Sequence, residues 1–372
     1  MVLDRIPLMA ESNDTNRVKR YPCYRAQGTH RHLGQQHGEQ AGEQIRAHLD
    51  YLYNSMKLTR DELRSRALHF QPLFNRFCPH LLDEIRGLAE GAGVDFAEAL
   101  ATNLRGALDQ ATDGGCTAFV VSGRGTSDGG ILIGQNCDMP PALINFSYVL
   151  HLKPKDKPEA LIWTFGGMTG YHGINSHGVG HFANDLGGGP KPRHGMPHYP
   201  LKRLILECAS LDEIETVLGR VPVCVNGNYV LCDGHGRILD VETTTEGPHS
   251  ITDNGEGFIA HSNHFICPEH ATSGNFKLSA ADSFPRLVRM NQLIESRFGR
   301  LRVDDFKSFL RDRHGGPTGI CRFAQTDDPK ADWTTSGMTV ASIIAEPHQR
   351  RLHVAVGNLM TTPFVVYHMD ES

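Results

Sequence analysis

The chain has 372 residues, 39% hydrophobic and 21% charged, with a formal net charge of −5 at neutral pH. That length suits two average domains or one large layered domain, and the composition is that of an ordinary soluble globular protein. No long run of one sign and no apolar stretch near twenty residues occurs, which argues against nucleic acid and membrane as partners.

The first residues, Met1-Val-Leu-Asp-Arg-Ile-Pro-Leu-Met9, lack the charged start and long apolar core of a secretory signal. Nine cysteines stand singly, with no CxxC pair. An odd, unpatterned set in a chain of this size implies reduced thiols and a cytoplasmic location.

The pattern is helical up to about residue 113. Gly34 to Leu52 leads into a first helix, and Thr59 with Glu62 has capping-box spacing for a second. Pro79–Glu90 puts Leu81, Leu82, Ile85, Leu88 and Ala89 on one face, with Gly91 to Gly93 expected to stop it. Asp95 caps a short fourth helix through Leu100.

Strands dominate from residue 116. Cys116–Ser122 and Ile131–Asp138 flank the glycine-rich 123–130 loop and read as a hairpin. Short strands are predicted at 148–152, 161–165, 178–183, 229–232, 238–241 and 257–260. Helices follow at 201–208, 211–218, 284–298 and 304–311, and strands at 339–345, 351–356 and 363–368. This order predicts one α+β domain over residues 1–372, two stacked sheets with helices outside them. Regular strand–helix alternation, the mark of a doubly wound sheet, is absent.

Gly115-Cys116-Thr117 carries the chemistry. If the Gly115–Cys116 bond broke, Cys116 would hold both a thiol nucleophile and its own base, the freed α-amine. The flexible Asp113-Gly114-Gly115 before it leaves the peptide open to attack by the thiol. Asp138 ends the partner strand, so its carboxylate can return to the level of that bond and hold an ammonium. His261-Ser262-Asn263-His264 follows another strand and offers an amide donor for an oxyanion.

Gly115-Cys116-Thr117 followed by Gly134-Gln-Asn-Cys-Asp138 resembles the acyl-coenzyme A:6-aminopenicillanate acyltransferase family of self-processing cysteine peptidases. Gly28–Gly38, Asp83–Phe96, Gly173–Asn184 and Ala260–His264 are similar to further family segments, in the same order. The resemblance implies an N-terminal-nucleophile hydrolase fold, a four-layer αββα sandwich of two antiparallel sheets. It implies a precursor that cuts itself into residues 1–115 and 116–372, two fragments that stay associated, with a homo-oligomer left open. It also implies that Cys116 is the nucleophile, Asp138 the holder of the new amine and Asn263 an oxyanion donor. Asn184, Arg286 and Thr117 take substrate- or oxyanion-binding places. The substrate is a small amide or acyl thioester, and no cofactor is implied. Gln135 stands where bile-salt and penicillin V hydrolases have arginine, which moves the match toward the acyltransferase branch. Thr335-Ser336 stands where the fungal acyltransferase has a serine-arginine pair, which puts a penicillin substrate in doubt.

Twenty-one histidines allow a second reading, a metal-dependent hydrolase. His30, His32 and His37, then His172, His177 and His181, then His261, His264 and His270 form its three groups. No HExxH is present. A third reading is a non-catalytic small-molecule binder with the 187–195 loop as its rim. Tyr171, Phe182, Phe265 and Phe276 are the aromatic residues available to line an acyl pocket. Cys137 is expected on the strand face away from that pocket.

Overall fold

Alternation along residues 118–121 decides where this chain puts its core. Ala118 and Val120 point to one side, Phe119 and Val121 to the other, and all four are fully buried. A strand covered on both faces needs a second sheet on one side and helices on the other. The structure, a computed structural model, describes residues 21–104, 106–108, 114–271, 281–326, 328 and 333–370.

The helices are α1 (His30–Met56), α2 (Arg60–Leu68), α3 (Gln71–Phe77), α4 (Pro79–Ala92), α5 (Phe96–Thr102), α6 (His198–Ile205), α7 (Leu211–Arg220), α8 (Pro268–Ala271), α9 (Ser283–Glu295), α10 (Val303–Phe309) and α11 (Trp333–Ser336). The strands before them or between them are β1 (Cys23–Gly28), β2 (Gly115–Val121), β3 (Leu132–Met139), β4 (Ser147–Pro154), β5 (Ala160–Phe165), β6 (His172–Asn175) and β7 (Gly180–Asp185). Next come β8 (Gly227–Cys232), β9 (Ile238–Thr244), β10 (Gly247–Ile251), β11 (Phe258–His261), β12 (Met338–Glu346), β13 (Arg351–Val356) and β14 (Val365–His368).

One sheet has eight strands in the order β1-β4-β5-β6-β7-β8-β9-β10, the other six in the order β11-β2-β3-β12-β13-β14. The neighbours are antiparallel apart from β1, which runs parallel to β4. Val149, Leu161, Phe182 and Val230 of the first sheet meet Ala118, Val120, Ile133 and Ile343 of the second in one core. Outside the first sheet, Leu150, Ile162 and Tyr229 pack on Leu33, Ile45 and Leu88 of the helices. Outside the second, Phe119 and Val121 pack on Met290, Ile294 and Phe306. The layers are therefore helix, sheet, sheet, helix, the predicted sandwich.

The predicted caps form. The Thr59 N–H donates to Glu62 Oε2 at 2.8 Å, and the Glu62 N–H donates to Thr59 Oγ1 at 3.3 Å. Asp95 accepts from the Ala97 N–H at 2.8 Å. The expected stop within Gly91 to Gly93 is met at Gly93, where α4 ends in a left-handed conformation, φ 66°. Gly91 and Gly87 also let α4 cross α1 at Gly34 and Gly38. A Cβ on any of the four would stand 1.7–2.4 Å from a carbonyl oxygen of the other helix.

Among the strands, β1, β6 and β10 were not predicted. β1 is an edge strand of mixed polarity whose partner lies far downstream, and β10 is an edge strand containing Pro248. Among the described residues no helix is long and apolar enough to cross a membrane. All nine cysteines are free.

Candidate active site

The β2–β3 register sets Gly115 opposite Asp138 and Cys116 opposite Cys137. Residues directly opposite in an antiparallel pair share a face. Cys116 and Cys137 therefore both face the other sheet, which corrects the expectation that Cys137 points away. The pairing register, and not alternation along one strand, decides this. Asp138 lies on the opposite face of β3, turned toward the outer helices with Asn136, whose amide donates to the Leu310 and Ile320 carbonyls at 2.8 Å each.

Two long-range side chains grip the backbone of Cys116. Its N–H donates to Asn263 Oδ1 at 2.8 Å, and its carbonyl accepts from Arg286 Nη1 at 2.6 Å. Arg286 also donates to Thr117 Oγ1 at 3.0 Å, to Asn263 Oδ1 at 2.8 Å and to Asp282 at 3.1 Å. Two donors on Asn263 Oδ1 fix the orientation of its amide. Its nitrogen then donates to the Asp185 carbonyl at 2.9 Å, at the end of β7. Asn263 itself is held at its backbone N–H by Ser283 Oγ, 2.7 Å away at the start of α9.

The electrostatics keep the thiol neutral. Burial pushes the Cys116 pKa up to about 12, helped by Asp138 and Asp185 and opposed by Lys202 and Arg286. Among the described residues its sulfur has no hydrogen bond to a side-chain base. Burial also raises the Asp138 pKa, against the pull of Arg286 and Arg322 and the bond from Thr339 Oγ1 at 2.6 Å. Asp138 Oδ2 is buried without a hydrogen-bond partner. Arg322 Nε stands 3.9 Å from it, and Arg322 pairs with Asp282.

Asn184 sits on β7, two residues after Phe182 of the inter-sheet core, and so faces the sheet that carries Cys116. It is fully buried, and neither its Oδ1 nor its Nδ2 has a partner. A narrow cavity of about 50 Å³ opens beside Cys116, walled by Tyr171, Asp185, His198, Tyr199 and Lys202 and by Gly106, Ala107 and Gly114. That space has room for ordered water. Lys202 is 3% exposed, its ammonium 4.2 Å from the Tyr171 ring and 5.2 Å from that of Tyr199.

Of the aromatic residues expected at a pocket, Tyr171 lines this cavity, while Phe182 is core. Phe265 is buried against Gly189, and Phe276 lies outside the described residues. The His172 and His181 rings approach to 5.9 Å, but no expected histidine group gathers into a ligand set among the described residues. His30 pairs with Glu84, His37 with the Tyr148 hydroxyl, His261 with Glu242 and His264 with Ser283. The described sets of three side chains with ligand atoms within 4.8 Å of one another are His249, Cys267, Glu269 and Asp128, Glu346, His348. Neither contains a histidine of the expected groups.

Lys202, Asp282, Ser283, Arg322 and Thr339 were missed by sequence reasoning. Asp282 and Ser283 adjoin Arg286 in sequence and could have been read with it. Thr339, 201 residues from Asp138, carried no local signal.

Residues 125–360 match the family model described as acyl-coenzyme A:6-aminopenicillanic acid acyl-transferase. The span includes Asp138, Asn184, Asn263 and Arg286 and begins downstream of Cys116. A relative from Emericella nidulans, acyl-coenzyme A:6-aminopenicillanic-acid-acyltransferase 40 kDa form, is 25% identical over 341 residues, 89% of this chain and 91% of the relative. Among solved structures, penicillin V acylase from Agrobacterium tumefaciens is 13% identical with a TM-score of 0.47, over 69% of this chain and 87% of that one. A variant of conjugated bile acid hydrolase from Clostridium perfringens is 12% identical with a TM-score of 0.43, over 69% and 98%.

Proposed function

Since the chain belongs to the acyl-coenzyme A:6-aminopenicillanic acid acyl-transferase family, we propose that it cuts itself before Cys116 and then cleaves or transfers the acyl group of a small amide. The observation that carries this reading is the state of the thiol. It is buried, protonated at neutral pH and without a side-chain base among the described residues. A base must come with scission, and the new α-amine is that base.

In self-cleavage the Cys116 sulfur attacks the Gly115 carbonyl carbon and the thiol proton passes to the departing nitrogen. The C–N bond breaks and a thioester forms. Water then cleaves the thioester, leaving a carboxylate on Gly115, a free thiol and a free amine. Asn263 Oδ1, already on the Cys116 N–H, accepts from that amine, and Asp138 supplies the countercharge. A free α-amine has a pKa of about 7.7–8.0, well placed for a base near neutrality.

In turnover the amine takes the thiol proton as sulfur attacks the substrate carbonyl. The oxyanion role expected of Asn263 passes to Asn184, because the Asn263 amide nitrogen already donates to the Asp185 carbonyl. The buried amide of Asn184, with no competing partner, donates to the oxyanion. The proton returns to the leaving amine, and water or an acceptor amine resolves the thioester. Loss of the wall made by Gly106, Ala107 and Gly114 after scission enlarges the cavity to admit substrate. Lys202 and Asp185 suit a small polar substrate better than a long alkyl chain.

Intact-mass spectrometry of purified protein tests the reading. We expect two species, divided before residue 116, and a single uncut chain without activity for Cys116→Ala. Two fragments from that variant, or an active wild type with an unbroken chain, would refute it.

A further inference from the structure

Between the two sheets, a few residues from Asn263, lies a cluster of charge that the mechanism above does not use. Asp240, Glu242 and His261 are each fully buried. The two acids stand on one face of β9 in the eight-stranded sheet, while His261 ends β11 in the six-stranded sheet.

Both nitrogens of His261 meet acceptors. Nδ1 is 2.9 Å from the Ser262 carbonyl and Nε2 is 3.1 Å from Glu242 Oε1, with Asp240 Oδ2 3.6 Å away. The Ser262 carbonyl can only accept, so Nδ1 carries a proton, and Nε2 faces the Glu242 carboxyl group, an arrangement that suits an imidazolium. Glu242 Oε1 also accepts the Ile266 N–H at 2.6 Å, and both its oxygens lie 3.3 Å from the Cys267 N–H. One carboxylate thus ties the beginning and the end of the loop that carries Asn263. Asp240 accepts from Asn228 Nδ2 at 2.5 Å, and Asn228 Oδ1 accepts the Asn184 N–H at 3.1 Å. The same cluster reaches the strand of the second asparagine.

We propose that Asp240, His261 and Glu242 form a buried charge clamp that positions the Asn263 loop, and through Asn228 the Asn184 strand, for the chemistry at Cys116. All three are positioning residues. The clamp rests on the reading of Cys116 given above, and its test separates the two. A surface pair would be screened and weak; here a lone charge left by removing one partner has no solvent to answer it.

The groups facing His261 are Asp240 and Glu242 from β9 and His264 from its own loop, with Arg286 of α9 beyond His264 and Cys267 on the far side of Glu242. Burial pulls the His261 pKa down, but Asp240 and Glu242 outweigh it and the net shift from 6.5 is upward. Burial pushes Asp240 up to about 6. A raised histidine is fully charged below its ordinary pKa and loses its contribution as pH climbs through the raised value.

The test uses the full chain and follows self-cutting before residue 116 by intact mass. Glu242→Gln keeps one carbonyl oxygen able to accept both backbone N–H groups and removes the countercharge; we expect cutting to slow about tenfold or more at pH 7. His261→Gln keeps a donor toward Glu242 and cannot titrate. The ratio of wild-type to His261→Gln rates should shrink toward one as pH rises above the ordinary imidazole value. Wild-type rates in either folded variant, or a ratio independent of pH, would overturn the clamp. Failure of both variants to fold would also overturn it, by assigning the cluster to global stability. A wild type that never cuts sinks the parent reading alone. The clamp is then judged by iodoacetamide labelling of Cys116, and unchanged labelling in both variants overturns it.

Discussion

Two buried polar regions of this molecule are built differently. Under the helical layer, Glu84 of α4 and Arg203 of α6 form a bidentate pair at 2.9 and 3.1 Å. His30 adds a bond to Glu84 at 3.0 Å, and Arg203 also serves the Thr169 carbonyl and Glu207. Every oxygen of Glu84 is used. At the Cys116 end of the sheets, Asn184 has neither side-chain atom engaged, and Asp138 Oδ2 and Arg286 Nε are buried without a partner. An unmet buried polar atom costs on the order of 1–3 kcal/mol. Such atoms occur elsewhere too, His172 and Gln135 among them, but beside Cys116 they stand where the proposed ligand and chain end would take them up. The first region holds the molecule together, and the second is held ready.

The largest way to break this contrast is Arg203→Met. It strands Glu84 in the interior, and we expect a loss of about 3–5 kcal/mol in denaturant unfolding. Turnover per folded molecule should stay near wild type. A large loss of turnover without loss of stability would reverse the assignment of the two regions.

Asn184→Ala is the complementary change. Removing an oxyanion donor costs about a hundredfold to a thousandfold in rate, and because the amide had no partner, unfolding stability should change by less than ~1 kcal/mol. The readout is single-turnover acylation of cleaved enzyme. Unaltered acylation would remove Asn184 from the site.

A smaller effect sharpens the account of the thiol. In uncut protein the Cys116 pKa is pushed up to about 12 by burial, so thiolate is scarce at pH 7.5. Uncut Asp138→Asn protein, in which one of the charges that raise this pKa is gone, should still alkylate with iodoacetamide about tenfold more slowly than cleaved wild type. Peptide mapping isolates Cys116 from the other eight cysteines. Equal labelling would mean that scission does not supply the base.

Much of this was legible because it is local. Thr59 and Glu62 cap α2 through atoms three residues apart, and the Leu81–Ala89 face follows from helical period alone. The β2–β3 hairpin brings Asp138 beside the Gly115–Cys116 bond by a single turn of chain. Misreadings arose where a neighbour from elsewhere decided the outcome. Gly91 was read only with the helix end reached at Gly93, yet its missing side chain also admits α1. Cys137 was turned away by counting along its own strand, yet the cross-strand register puts it beside Cys116.

By itself the sequence determined the layer order, the place of the proposed nucleophile at a strand start and the family, because period, turn chemistry and short motifs act over a few residues. Only the tertiary structure decided that Asn263 presents its oxygen to Cys116, that Arg286 braces both, and that Asp240, His261 and Glu242 meet between the sheets. Those choices depend on which distant groups share a dry interior. There each donor must find an acceptor and each charge a partner, and the chain positions of the groups do not reveal the match.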